Sequence, residues 1–172
     1  MNKPDAGPMA RRARGIPLAA AITILATTTP LTTMAAEADP MVARGRYLVQ
    51  IAGCNDCHTP DYMFTAGAVD EGLWLTGSSL GWNGPWGTTY PPNLRLTVQG
   101  MTEEQWLVFA RTPRRPPMPW FALRDMSDED VRAIYRYAKH AGPVGQPAPA
   151  ALPPGVEPAG PVFRAPTPPP AK

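Results

Sequence analysis

Both cysteines of this 172-residue chain fall inside one pentapeptide, Cys54-Asn55-Asp56-Cys57-His58. C-x-x-C-H is the attachment pattern of c-type haem. Each thiol adds to one vinyl group of the porphyrin, and the histidine supplies an axial nitrogen to the iron. The two intervening residues let both sulfurs sit under one edge of the macrocycle while His58 turns inward. Two other uses of such a pair fit less well. Structural zinc takes four protein ligands, and only one histidine, His140, lies outside the motif. A redox dithiol follows a strand in a βαβ unit, whereas residues 39–53 carry a helical pattern with no strand pattern nearby. The pentapeptide therefore predicts one covalent haem c with its iron, bound through Cys54, Cys57 and His58.

Covalent haem is attached outside the bacterial cytoplasm, and the N-terminus carries a matching signal. Residues 1–38 begin with Lys3, Arg11, Arg12 and Arg14, pass through an apolar stretch at 16–31 and end in small residues around Ala36-Glu37-Ala38. Cleavage after Ala36 or Ala38 leaves a mature chain starting near Asp39. The stretch contains Pro30 and is shorter than the roughly 20 residues of a membrane span, so no transmembrane segment is expected after cleavage. Arg11-Arg12 lacks the neighbours of a twin-arginine signal, and a chain that receives haem after export is expected to cross unfolded. The expected location is the periplasm.

Removing the leader changes the charge. The full chain has Lys+Arg 16 against Asp+Glu 14, of which the leader holds four (Lys3, Arg11, Arg12, Arg14) and two (Asp5, Glu37), leaving 12 of each. A neutral mature chain gives no electrostatic ground for a nucleic-acid partner. At the other end, residues 143–172 are a Pro/Ala/Gly mixture without apolar period, expected to be a disordered or polyproline II tail. Its one apolar handle is Val162-Phe163-Arg164, suited to a spacer or a docking strand.

One domain, residues 39–142, remains between them. Three helices are predicted. The first spans about 40–53, with Val42, Gly45, Leu48 and Ile51 on one face. The second starts at Thr102, whose hydroxyl can cap while Gln105 reaches back, and stops before Pro113. The third opens at Ser127, with Asp128, Glu129 and Asp130 in its first turn. It places Val131, Ile134, Tyr135 and Ala138 on one stripe and closes with Lys139, His140 and Gly142. Residues 67–94, rich in Gly, Trp and Pro, read as ordered loop wrapped on the cofactor.

An iron held by His58 needs a sixth ligand. Met118 sits in Arg115-Pro116-Pro117-Met118-Pro119-Trp120, a run barred from helix by its prolines and stiff enough to hold a soft thioether at fixed reach. Met101 and Met126 precede helix caps and read as staples or core, and Met63 is too near His58 in sequence to reach the other haem face. His140 is the main rival, although its position also suits a cation at a helix C-terminus.

With these residues placed, the chain resembles a class I cytochrome c. The resemblance rests on the leader, a first helix running into CNDCH, the loop with Tyr90-Pro91-Pro92-Asn93-Leu94, then PPMPW and a last helix opening Met126-Ser127-Asp128-Glu129-Asp130. It is more closely similar to the single-haem modules of the cytochrome c subunits of periplasmic alcohol, aldehyde and gluconate dehydrogenases. The resemblance implies an all-α fold, three main helices and loops around one haem, with His58 and Met118 as axial ligands. It implies that the first and last helices cross at a small residue against an aromatic, Gly45 against Tyr135. It also implies that a proline carbonyl, of Pro91 or Pro92, accepts from the proximal imidazole. Two departures stand out: those subunits carry several haem motifs where this chain has one, and the run 94–102 is short.

With both axial positions filled by protein, the iron exchanges single electrons and has no open site for substrate. The expectation is a non-enzymatic periplasmic carrier between a dehydrogenase and an oxidase or other cytochrome. Arg111, Arg114 and Arg115 are candidates to steer an acidic partner or neutralise haem propionates, and Trp82, Trp86 and Trp120 to pack on or hydrogen-bond the haem. Two competing readings are a haem enzyme or gas sensor whose Met118 leaves readily, and a small disulfide-bonded binding module.

Overall fold

The computed structural model describes residues 39–166; the leader assigned to 1–38 and the last six residues lie outside the described residues. Helix α1 (Pro40–Ile51) starts where expected, with the Asp39 carboxylate accepting from Met41 N and Pro40 in the first turn. Helix α4 (Glu103–Arg111) opens with the full reciprocal box: Gln105 N donates to Thr102 Oγ1 at 3.2 Å, and Thr102 N to Gln105 Oε1 at 2.8 Å. Helix α6 (Asp128–Ala141) is capped by Ser127, whose hydroxyl accepts from Asp130 N.

Helices α1 and α6 cross at Gly45. A Cβ at that position would lie 2.0 Å from Ala133 O and 2.7 Å from Tyr137 Cβ, so only glycine permits the approach. The aromatic opposite Gly45 is thus Tyr137, not Tyr135. Helix α6 presents two stripes: 130, 133 and 137 meet α1, while 131, 134, 135 and 138 form a second buried row. On the second stripe Val131 O accepts from Trp106 Nε1 at 3.0 Å, and Tyr135 donates its hydroxyl to Met101 O at 2.7 Å. The face expected on α1 is also shifted. Gly45, Leu48 and Val49 are buried, whereas Ile51 is 61% exposed, because 3.6 residues per turn carries the stripe past position 51.

Between the predicted helices the structure adds elements that change the expected class. Residues 81–84 and 87–89 form strands β1 (Gly81–Gly84) and β2 (Gly87–Thr89), an antiparallel pair joined through Pro85 and Trp86. The tail returns to add a third strand, β3 (Val162–Arg164), parallel to β1, giving the order β2-β1-β3. The fold is helix-rich with a small sheet and not plainly all-α. The strands escaped the sequence reading because GWNG and GTT have no apolar alternation; cross-strand hydrogen bonds specify them. Short helices α2 (Cys54–His58), α3 (Leu94–Thr97) and α5 (Trp120–Asp125) complete the set.

Residues 143–166, expected as part of a disordered or polyproline II tail, run mostly without regular structure and make specific contacts with the domain. Asn93 Nδ2 donates to Val144 O at 2.8 Å, Thr88 and Leu152 exchange backbone hydrogen bonds at 3.0 and 2.9 Å, and Gly81 N donates to Pro161 O at 2.9 Å. Proline-rich backbone is extended before it docks, so few contacts suffice to order it. Among the described residues no helix is long and apolar enough to cross a membrane.

Candidate cofactor site

The pentapeptide becomes a single short helix. Gly53, in the left-handed region at φ 71°, lets the chain leave α1 and enter α2 within two residues. Inside α2, Asn55 is fully buried and accepts from the Thr59 hydroxyl at 2.9 Å, and that hydroxyl accepts from Leu75 N at 2.8 Å. His58 is 6% exposed, and its Nδ1 lies 2.8 Å from Pro92 O. A carbonyl only accepts, so Nδ1 carries the proton and donates, and Nε2 is the bare nitrogen. The choice between Pro91 and Pro92 thus falls to Pro92; Pro91 O accepts from Ser78 N instead. Burial pushes the Cys54 thiol up to about 11 and raises Cys57 as well, with Asp56 adding to both. Burial lowers the His58 imidazole, opposed by the Pro92 hydrogen bond. Both thiols are free, not joined as a disulfide.

Cys54, Cys57 and His58 line a cavity of about 470 Å³, within the roughly 300–1,000 Å³ usual for ligand sites. Its other walls come from Trp106, Phe109 and Ala110 of α4, Ile134 of α6, and Trp82, Thr89 and Tyr90 beside the sheet. Met118 lines it too, so all four residues singled out in the sequence share one cavity.

Other methionines are placed differently. Met126 reaches the cavity but packs against the apolar core, as Met101 does, and Met63 is 44% exposed on a separate small hollow. Met118 is half-buried and outside that core. His140 is exposed at the end of α6 and does not line the cavity. The segment carrying Met118 is tied down at several points: Thr89 Oγ1 donates to Pro116 O at 3.0 Å, Arg115 to Trp86 O at 3.3 Å, and Trp120 N to Met118 O at 2.9 Å.

Of the three arginines, Arg114 and Arg115 line the cavity. Arg114 lies 4.1 Å over the Phe109 ring and donates to Phe109 O at 2.7 Å, and burial lowers its pKa. Arg111 turns to Asp128 at 2.6 Å and to Met126 O. Trp82 lines the cavity; Trp120 stacks under Arg124. Trp86 does not line the cavity; its Nε1, like Asn55 Nδ2 and Arg111 Nε, is a buried donor with no partner among the described residues. Sequence reasoning missed Trp106 and Ala151 as wall residues. The apolar face of α4 hinted at the first; no local signal marks the second.

The residues fit a covalently attached haem: two neutral thiols, an imidazole with its outer nitrogen bare, a thioether and apolar walls. This is the donor set that covalent attachment and iron ligation of a haem c call for. The chain is similar to cytochrome subunits of bacterial dehydrogenases. It is 33% identical over 125 residues to the gluconate 2-dehydrogenase cytochrome c subunit of Pantoea cypripedii, covering 63% of this chain and 28% of the relative. It is 31% identical over 120 residues to the fructose dehydrogenase cytochrome subunit of Gluconobacter japonicus, covering 64% and 23%. To a nicotinate dehydrogenase subunit of Pseudomonas putida it is 28% identical over 121 residues, covering 64% and 9%. The chain thus spans about a quarter or less of the length of these relatives. No family model and no solved structure matches it.

Proposed function

We infer that this chain is a periplasmic class I cytochrome c that carries single electrons between a dehydrogenase and a downstream oxidase or cytochrome, and is not itself an enzyme. The observation that carries the reading is the meeting of Cys54, Cys57, His58 and Met118 on one apolar cavity. In this reading residues 1–38 are a cleaved secretory leader. Cys54 and Cys57 would hold the cofactor covalently, and His58 Nε2 and Met118 sulfur would ligate its iron. The haem, when bound, supplies reversible one-electron exchange.

The remaining work belongs to the chain. Pro92 O fixes the tautomer and ring orientation of His58, as outer-shell acceptors do for metal-binding imidazoles. The anchored proline segment holds Met118 in reach. Trp106, Phe109 and Ile134 keep water from the cavity. Arg114 and Arg115 line the cavity and offer donors for the two carboxylates of the cofactor, and Arg115, exposed at the rim, favours an acidic partner. The names of the relatives support a dehydrogenase as that partner.

The test is spectroscopy on the full chain matured with haem in a periplasm. The expected protein is low-spin in both oxidation states, shows the weak near-infrared sulfur-to-ferric band and binds carbon monoxide slowly. Met118→Ala should lose the band and lower the potential. A five-coordinate, high-spin ferrous protein that takes up carbon monoxide rapidly would instead mark a haem enzyme or gas sensor, and a band surviving in Met118→Ala would falsify the ligand assignment.

A further inference from the structure

The tail does more than return to the surface. Its strand β3 pairs with β1, matching Trp82 to Phe163, and the two rings stack with centroids 4.8 Å apart at 28°. Phe64, 62% exposed, stacks on Phe163 at 5.9 Å. Trp82 also forms part of the cavity wall, and Ala151, further back in the tail, reaches the same cavity. The tail therefore touches the site twice, once directly and once through Trp82.

The sheet is shaped to receive it. A Cβ on Gly81 would stand 2.8 Å from Val162 Cγ1, and one on Gly87 would stand 2.2 Å from Leu152 O. Both strands are thus reduced to hydrogen where the tail lies. Backbone bonds close the seat at both ends of β3: Gly81 N donates to Pro161 O at 2.9 Å and Ala165 N to Asn83 O at 2.8 Å. Arg164 adds a hydrogen bond to Asn83 Oδ1 at 3.1 Å and an ion pair with Glu157.

We propose that residues 151–164 are a built wall of the cofactor site, in which Phe163 is a positioning residue that holds Trp82 against the cavity and so limits the access of water to the cofactor. The inference rests on the haem reading given above. Its physical content is the dielectric around the iron: water stabilises the more highly charged ferric state, so a shell that excludes water raises the potential. Without the Phe163 ring, one face of Trp82 is uncovered, the indole is free to swing, and that side of the cavity opens.

The experiment compares full-length haem-loaded wild type with Phe163→Ala, Phe163→Tyr and Gly81→Ala. Two quantities are read: the midpoint potential, and the rate of tryptic cleavage after Arg164, which reports release of β3. Phe163→Ala and Gly81→Ala should lower the potential and hasten cleavage, whereas Phe163→Tyr, which keeps the ring, should retain both wild-type values. A Phe163→Ala protein at the wild-type potential overturns the proposal, as does an equal fall in Phe163→Tyr. Should Phe163→Ala fail to mature, Gly81→Ala decides on the same readout. A colourless wild-type product retires the haem reading itself and is told apart from these outcomes by the absence of any potential to measure.

Discussion

At Gly45 the space for a side chain is already taken by backbone. Because Ala133 O would be 2.0 Å from the new carbon, Gly45→Ala forces α1 away from α6. The cost should be at or above the upper end of the usual overpacking range, about 3 kcal/mol, read as a lower urea midpoint. Gly100→Ala is the control, with nothing within 4 Å of its Cβ, and should leave the midpoint unchanged or slightly raised. Arg95 is the residue that sequence reading passed over most completely. It is 7% exposed and pairs with no carboxylate among the described residues; its guanidinium donates to Gly142 O and Gly72 O at 2.6 Å each and to Ala141 O. It therefore satisfies carbonyls at the end of α6, groups that a helix leaves unpaired. Arg95→Met should cost about 3 kcal/mol, since charged hydrogen bonds contribute roughly 1.5–3 kcal/mol and their carbonyls would be left buried. A denaturation midpoint within error of wild type would refute that role. Such residues are invisible in a sequence because their partners lie 23 to 47 positions away.

Between elements, a pair of ion pairs joins α4 to α6. Glu103 receives Arg132 and Arg136 at 2.9 Å each, and these guanidiniums, Arg136 foremost, hold its carboxyl below the ordinary 4.5. A carboxyl that ionises more readily folded than unfolded stabilises the protein above its ordinary pKa and loses that contribution as pH falls through the lower folded value. The thermal midpoint should therefore drop as pH falls below the ordinary carboxylate value of 4.5, and Glu103→Gln should flatten that drop while lowering the midpoint at neutral pH. An unaltered acid slope in the variant would show that other carboxylates dominate. The caps of α4 and α6 were legible because capping is local: Thr102 with Gln105, and Ser127 before three acidic residues, are complete within four positions. The pentapeptide was legible for the same reason. The sheet was not, since β1 and β3 are separated by some 80 residues and neither carries an alternating pattern. Nor was the choice of Pro92 over Pro91, which depends on how the loop from Thr59 onward is folded back by Gly77 N and Leu75 N.

For the molecule as a whole, the cavity is large relative to the core around it. Its walls are largely apolar, so an occupant that takes this surface out of water adds to the stability of the folded chain. A Cys54→Ser/Cys57→Ser chain, unable to attach the group covalently, should lose its cooperative thermal transition by circular dichroism while retaining part of its helix. A sharp transition at the wild-type temperature would contradict this. The donor set was readable because motif and proline strap are contiguous stretches; the shape of the hollow was not, because its walls come from α2, α4, α6, the sheet and the tail at once. The hydrogen bond from His58 to Pro92 spans 34 positions, whereas the two thiols are three apart on one turn. Thioether formation, on the proposed reading, would need only a local stretch of chain, while the imidazole is aimed only after the intervening loop has closed. On the haem reading, assembly would be split into an early stitching step open to the exported, still unfolded polypeptide and a late locking step that reports completed folding.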